Sequence, residues 1–342
     1  MMGTRRALSL GVTFWILLRA VPDSEGAAGS ADDLAREVAT KGWIVYSAKT
    51  EKGDWDLFLM RPDGSHRRNL TRTPDTSEAA ARFSPDGKRL LYYRMPKTEV
   101  LDNNKYGLYE LVISNADGSN PVSYGTEFPW ASWSPDGKQI STLGRAGIQI
   151  VDVATRTVVR KLDRKGVVEQ LFWSPDGKAF TGTANGLGEH WAIGKIDAVT
   201  GDIARVSDGD CFNCTSDWFP DSRHIVYSKG HPKTEGFAQL WKADVEGTTR
   251  SMLYGELGRH IYGGCISPDG QYALFTRSQE DLGVVENSKT TIGLLRLKDT
   301  PIIGGKSEVL WSQYPKAKAG PVLDLSSGWE PHWTLSEIGG DK

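Results

Sequence analysis

Three groups of residues in this 342-residue chain are of types that do chemistry. The first is the cysteines, Cys211-Phe212-Asn213-Cys214 and, one repeat further on, Cys265. A C-x-x-C pair attaches haem when a histidine follows, but Thr215 stands in that place. A zinc ribbon needs a second pair, which is absent. A redox pair opens a helix, whose dipole lowers the thiol pKa, and this pair precedes a strand-like run. A structural disulfide remains as the expectation, from Cys214 either to Cys211 or to Cys265. The second group is His190, His260 and His332, which would hold a metal if they converged, although no motif spacing links them. The third interleaves acids with aromatics: Glu78, Glu127 with Trp130, Glu169 with Gln170, His260 with Tyr262, and Trp329 with Glu330. Grouped at one place, these would suit a cationic or polar guest. A G-x-S-x-G nucleophile elbow occurs nowhere in the chain.

The elements that must position these residues are set by a repeated phrase. It reads Phe83-Ser84-Pro85-Asp86-Gly87, Trp133-Ser134-Pro135-Asp136-Gly137, Trp173-Ser174-Pro175-Asp176-Gly177 and Ile266-Ser267-Pro268-Asp269-Gly270, with a worn copy at Trp218-Phe219-Pro220-Asp221-Ser222. Proline fixes φ at the second turn position, aspartate bonds its own backbone and glycine takes the positive φ that closes the turn. A strand therefore ends at serine and another begins after glycine, as in Arg89-Leu90-Leu91-Tyr92-Tyr93. Successive copies lie 50, 40, 45 and 48 residues apart, the length of one four-stranded propeller blade. Six second-strand runs occur, beginning with Trp43-Ile44-Val45-Tyr46-Ser47, but only five have a turn phrase before them. The missing strand is found in Trp329-Glu330-Pro331-His332-Trp333 near the C-terminus. The expectation is an all-β fold: a six-bladed β-propeller of four-stranded antiparallel blades, closed by a C-terminal innermost strand that joins the N-terminal blade.

Ahead of the blades, residues 1–30 read as a secretory signal: Arg5 and Arg6, an apolar run from Ala7 to Leu18, then small residues near Ala27 to Ser30. That run is too short to span a bilayer comfortably, so no stable membrane anchor is expected after cleavage. Residues 31–42 suit a short helical lead-in, 43–336 the propeller and 337–342 a tail. Lys and Arg number 41 against 43 Asp and Glu, and they are scattered, which argues against a nucleic-acid partner. Twelve tryptophans are many, and Trp133, Trp173, Trp218 and Trp333 fall where innermost strands pack between blades. Arg82 and His332, just before that aromatic position, are expected to point between blades and satisfy a carboxylate or a carbonyl.

The phrases Arg82-Phe83-Ser84-Pro85-Asp86-Gly87-Lys88 and Trp133-Ser134-Pro135-Asp136-Gly137-Lys138 resemble the WD-like repeat of the TolB propeller family. The likeness covers almost the whole chain after the signal, and it implies a TolB-like six-bladed β-propeller in the periplasm or secreted further. TolB proper carries an α/β domain before its propeller, and here about a dozen residues separate the signal from the first blade. A similar repeat precedes the catalytic domain of prolyl oligopeptidase-type peptidases, a domain not expected here because the chain has no G-x-S-x-G elbow.

In a propeller the turn phrases form one rim, and the loops that approach each innermost strand form the other. Glu78, Glu127, Trp130, Glu169, His260, Tyr262, Trp329 and Glu330 are expected around the channel mouth on the approach rim, because loops on a rigid scaffold carry binding residues. The long stretches Ser278 to Thr290 and Ser312 to Gly328, with Tyr314, Lys316 and Lys318, are further candidate contacts. The favoured reading is a monomeric, non-enzymatic exported propeller that needs no cofactor and binds a protein, peptide or envelope component. The alternative is a metal-dependent polysaccharide hydrolase or lyase that uses His190, His260 and His332 at the channel mouth.

Overall fold

A computed structural model describes residues 29–144, 147–163, 166–209, 211–230, 238–256, 258–279, 289–300, 303–304 and 320–339. Most of the signal, the tail beyond Gly339, loop residues 280–288, and Tyr314, Lys316 and Lys318 lie outside these residues.

Each turn phrase closes as its chemistry requires. In the first copy Gly87 donates its N–H to the Ser84 carbonyl at 2.8 Å and sits at φ 67°, while Asp86 accepts from the Lys88 amide at 3.1 Å. Serine has a part that the sequence reading did not give it. The Ser84 hydroxyl donates to Asp86 Oδ1 at 2.6 Å and accepts from the Arg89 amide at 3.0 Å, pinning the start of the next strand to the end of the last. The same pair of bonds recurs at Ser134, Ser174 and Ser267. The worn copy replaces glycine by Ser222, held at φ 56°. Replacing Ser84 with alanine is expected to cost about 1–2 kcal/mol, because two bonds to a nearly buried hydroxyl are lost. Chemical denaturation of the variant reads that loss.

Six antiparallel sheets follow in sequence around a ring. Blade 1 is closed as expected: the C-terminal strand Trp329–Thr334 pairs antiparallel with Trp43–Lys49, matching Ile44 with Trp333 and Val45 with His332. The innermost strands of blades 2 to 6 are Thr76–Phe83, Ser132–Trp133, Val167–Trp173, Asn213–Trp218 and His260–Ile266.

Two features depart from the sequence reading. Residues Val322–Ser327, expected within a loop, are the outer strand of blade 6 and pair with Thr290–Arg296. Ile303–Gly304 adds a fifth strand to blade 5, pairing Met252 with Ile303 and so covering the edge of its outer strand. Both were hidden because strands this short or this polar (Val-Leu-Asp-Leu-Ser-Ser) lack the alternation that marks a half-buried sheet.

The lead-in forms the helix α1 (Ala31–Val38), capped by Ser30 in a reciprocal box with Asp33. Its apolar face, Leu34 and Val38, is fully buried against the cluster holding Tyr46, Tyr272 and Trp333. Arg296 and Tyr272 of blade 6 both bond Glu37 of the helix. The helix therefore lies over the seam between blades 6 and 1, where the two ends of the chain meet.

Candidate functional site

Every innermost strand carries one irregularity at the same place. Three residues before the aromatic position stand Glu330, Ala80, Trp130, Gln170, Thr215 and Gly263, and all are left-handed, with φ between 48° and 59°. In five blades the pairing register with the second strand shifts there, the mark of a β-bulge. Amides that the bulges release are caught by the preceding blade. Ala131 N–H donates to the Tyr93 hydroxyl at 2.7 Å, Gly263 N–H to Thr215 Oγ1 at 3.2 Å and Glu330 N–H to Thr276 Oγ1 at 3.2 Å. Thr215 N–H likewise donates to Gln170 Oε1. The ring of bulges thus locks blade to blade around the axis, and it aims side chains into the channel.

The channel has two chambers. The inner one, bounded by the bulge ring with Tyr106 and Trp130, leaves only about 30 Å³, room for no more than a water or two. Tyr106 stacks on Tyr93 with ring centroids 4.8 Å apart, meets Trp130 edge-on at 5.0 Å and donates to Glu330 Oε2 at 2.9 Å. This short insertion in blade 2 fills the approach side of the axis. The outer chamber is a bowl of about 320 Å³ on the turn rim, to which all six blades contribute. Its wall is Pro85, Pro135, Pro175, Pro220 and Pro268 with Trp133, Trp173 and Trp218, and its floor is Arg82, Asp217 and His332.

Arg82 and Phe172 line both chambers and so form the partition. The Arg82 guanidinium lies 4.1 Å over the Phe172 ring of blade 4, and its Nη1 is 4.0 Å from Asp217 Oδ2 of blade 5, across the axis from its own blade. The expectation that Arg82 points between blades is corrected, since it reaches across the channel, while its expected carboxylate partner is present as Asp217. His332 does sit at a seam, but it accepts the Phe83 amide at Nδ1 (3.2 Å), so its partner is an N–H and not a carbonyl or a carboxylate. Burial, and then the Arg82 charge, push the His332 pKa down to about 3, so the ring is neutral.

Acids are concentrated on the same axis. Burial pushes Glu169 up to about 7, helped by the Glu330 charge on the opposite blade. Burial raises Glu330 and Asp217 as well.

Trp130, Gln170 and Glu330 line the inner chamber, and Glu169, next to Gln170, is buried in its blade. Tyr262 and Trp329 are buried in packing. Glu127 is exposed on the approach rim. Glu78 belongs to a separate polar cluster with Thr73 and Thr76, both donating at 2.7 Å, and with Arg94 at 3.5 Å. Beside that cluster, blade 1 has a wider cleft of about 550 Å³ lined by Asp54, Asp56, Arg67 and Arg72. Its buried acids are engaged: Asp56 by Asn69 and Thr71, and Asp54 by Thr50 and Lys97. The bowl is smaller, but it is the cavity on the axis on which all six blades converge.

The three histidines do not meet. His260 accepts the Ala238 amide at 3.0 Å and stacks on Tyr262, His190 stacks on Phe212 at 4.8 Å, and His332 is committed to Phe83. Among the described residues no three His, Cys, Asp or Glu side chains gather as a metal site. Cys265 is a buried free thiol, so the expected pairing of Cys214 with Cys265 is not formed in this structure. Cys214 of blade 5 packs against the cluster that includes Ala238 and Tyr262, and Cys265 lies in a different one, with Tyr46, Tyr272 and Trp333. Burial pushes the Cys265 thiol up to about 12.

Comparison with known proteins agrees with this architecture. The structure superposes on a crystal structure of TolB from Acinetobacter baumannii with a TM-score of 0.61, at 17% identity, covering 86% of this chain and 67% of that one. The chain folds as a six-bladed β-propeller similar to the one in that TolB structure. A putative TolB from Agrobacterium tumefaciens matches the TolB-like fold with a TM-score of 0.54, at 19% identity over 77% of this chain and 88% of that one. By sequence, an uncharacterised protein of Agrobacterium fabrum is 26% identical over 279 residues, 77% of this chain and 84% of its own. The Tol-Pal system protein TolB of Francisella tularensis subsp. mediasiatica is 41% identical over 83 residues, 22% of this chain and 19% of its own length. No family model matches the chain. Among the described residues no helix is long and apolar enough to cross a membrane.

Proposed function

We infer that this chain is an exported, periplasmic propeller that binds a protein or peptide of the cell envelope, and that the partner docks on the turn rim over the bowl. The observation that carries this reading is the asymmetry of the axis. One end is filled by Tyr106 and Trp130, and the other opens as an apolar depression of about 320 Å³ framed by rigid turns. A concave apolar surface with a few convergent polar groups is the common form of a binding site. The signal-like residues 1–30 and the local likeness to a Tol-Pal system protein support the compartment and the kind of partner. The side chains do not favour the catalytic alternative, since His260 and His332 each have Nδ1 occupied by a backbone amide and, among the described residues, no three His, Cys, Asp or Glu side chains gather as a metal site.

Photo-crosslinking tests the face. A photoreactive residue is placed at Lys88 on the turn rim, at Glu127 on the approach rim, or at Val199 on an outer edge, all of them exposed. The full chain is then irradiated in native envelope extract. The expected result is a discrete adduct from Lys88 alone. Adducts from Glu127 alone, or equal adducts from all three, overturn the reading.

A further inference from the structure

The bowl has an apolar wall and a polar floor, and the two together restrict what fits. Resting on the reading that a partner docks over the turn rim, we propose that the bowl receives the C-terminal end of an extended polypeptide. Its terminal carboxylate is seated on Arg82, and its last side chains lie against the proline and tryptophan wall.

The charge argument begins with unspent donors. Arg82 is the one cationic side chain lining the bowl among the described residues, and it is 24% exposed. A guanidinium carries five N–H donors in a fixed fork, and none of them makes a hydrogen bond to the described protein. Asp217 stands at 4.0 Å, beyond hydrogen-bond length. The Arg82 guanidinium carbon lies 4.1 Å from the centroid of the Phe172 ring, which holds the group at the floor by a cation–π contact without using its N–H donors. A planar fork held in this way matches a carboxylate bidentately. Asp217 offers a cationic guest far less, because its Oδ1 already accepts the Trp218 amide at 2.8 Å. His332 has Nδ1 occupied by Phe83 and carries no charge to compete.

Size and shape favour a chain end over a loop. A volume of about 320 Å³ lies at the lower end of the range of ligand pockets. A loop must bring two strands down to the floor, roughly 4.7–4.9 Å apart if they pair, whereas a chain end brings one. The wall suits the last side chains of such an end. Its turn prolines have no N–H to solvate, and the Trp133 and Trp218 indole N–H groups are already spent on the Arg82 and Phe172 carbonyls.

The test uses the full chain, immobilised, and two peptide pools of identical composition, randomised at their last four positions. One pool ends in a free carboxylate and the other in an amide, and retained peptides are counted by mass spectrometry. The expected result is retention of free-acid peptides with apolar last residues, enriched about tenfold or more over the amides, the equivalent of ~1.4 kcal/mol. That enrichment should vanish in Arg82→Gln. Should that variant fold poorly, Pro175→Tyr, a change at an exposed wall position, should block retention by filling the mouth while leaving the floor intact. Equal retention of acids and amides, no retention of either pool, or unchanged retention by both variants overturns the proposal. If the Lys88 adduct forms while the pools are retained equally, the turn-rim docking reading stands and the carboxylate proposal alone falls.

Discussion

Replacing Trp333 with alanine is expected to destabilise the protein by about 3–5 kcal/mol, the range for removing a buried tryptophan from a core. Trp333 is 1% exposed, and it lies on the one strand that joins the two ends of the chain. Its ring packs with Tyr272 of blade 6 at 5.4 Å, and its indole donates to the Lys41 carbonyl at 2.6 Å, so a single side chain ties together the lead-in, blade 1 and blade 6. Trp173 is the control. It is half-buried, its ring packs at a tilt on Phe180 of its own blade, and its indole donates to the Gly177 carbonyl of its own turn. Trp173→Ala should cost less than half as much. Urea denaturation measures both. A loss at Trp333 no larger than that at Trp173 would mean that the closing strand is not what holds the ring.

The second large effect depends on pH. Burial and the Glu330 charge hold Glu169 protonated up to about pH 7 in the fold, whereas in the unfolded chain it ionises near 4.5. The folded state therefore binds the extra proton, so the stability it confers is complete below pH 4.5 and is lost as pH rises through about 7. Each pH unit in that window is worth about 1.4 kcal/mol, or ~3 kcal/mol across it. Glu169→Gln keeps the shape and removes the ionisation. Relative to the parent chain it should be about equally stable at pH 4 and ~3 kcal/mol more stable at pH 8. Denaturation curves at the two values check this. A difference of the opposite sign, or one independent of pH, would place Glu169 in wetter surroundings than those described.

The ring was legible in the sequence because its information is local. Each Ser-Pro-Asp-Gly turn fixes where one strand stops and the next begins, and the count of turns against second strands forces the C-terminal Trp329–Thr334 strand into blade 1. Of the acids singled out in the sequence, Glu330 lines the inner chamber, at the bulge position three residues before the aromatic. The closure of the approach side was not legible. It depends on Tyr106, which sits in a loop outside the turn phrase, and on Trp130, whose backbone is left-handed and whose ring meets Tyr106 edge-on. The bowl was missed for a related reason. Turn prolines read singly are punctuation, and only when the ring closes do five of them, with Arg82 at the bottom, become the wall and floor of one cavity. The bulges left a faint signal, namely that the residue three before each aromatic breaks alternation, but their identities (Ala, Trp, Gln, Thr, Gly, Glu) share no side-chain chemistry.

Hydrogen exchange of the chain with and without its crosslinked partner tests the central claim, that binding occurs on the turn rim and not at the filled end of the axis. Bound partner is predicted to slow exchange across turn segments 84–89, 134–139 and 174–179 and to leave approach segments 126–131 and 211–215 unchanged. Protection confined to the approach segments would contradict the account, because the partner would then be binding where Tyr106 and Trp130 close the channel.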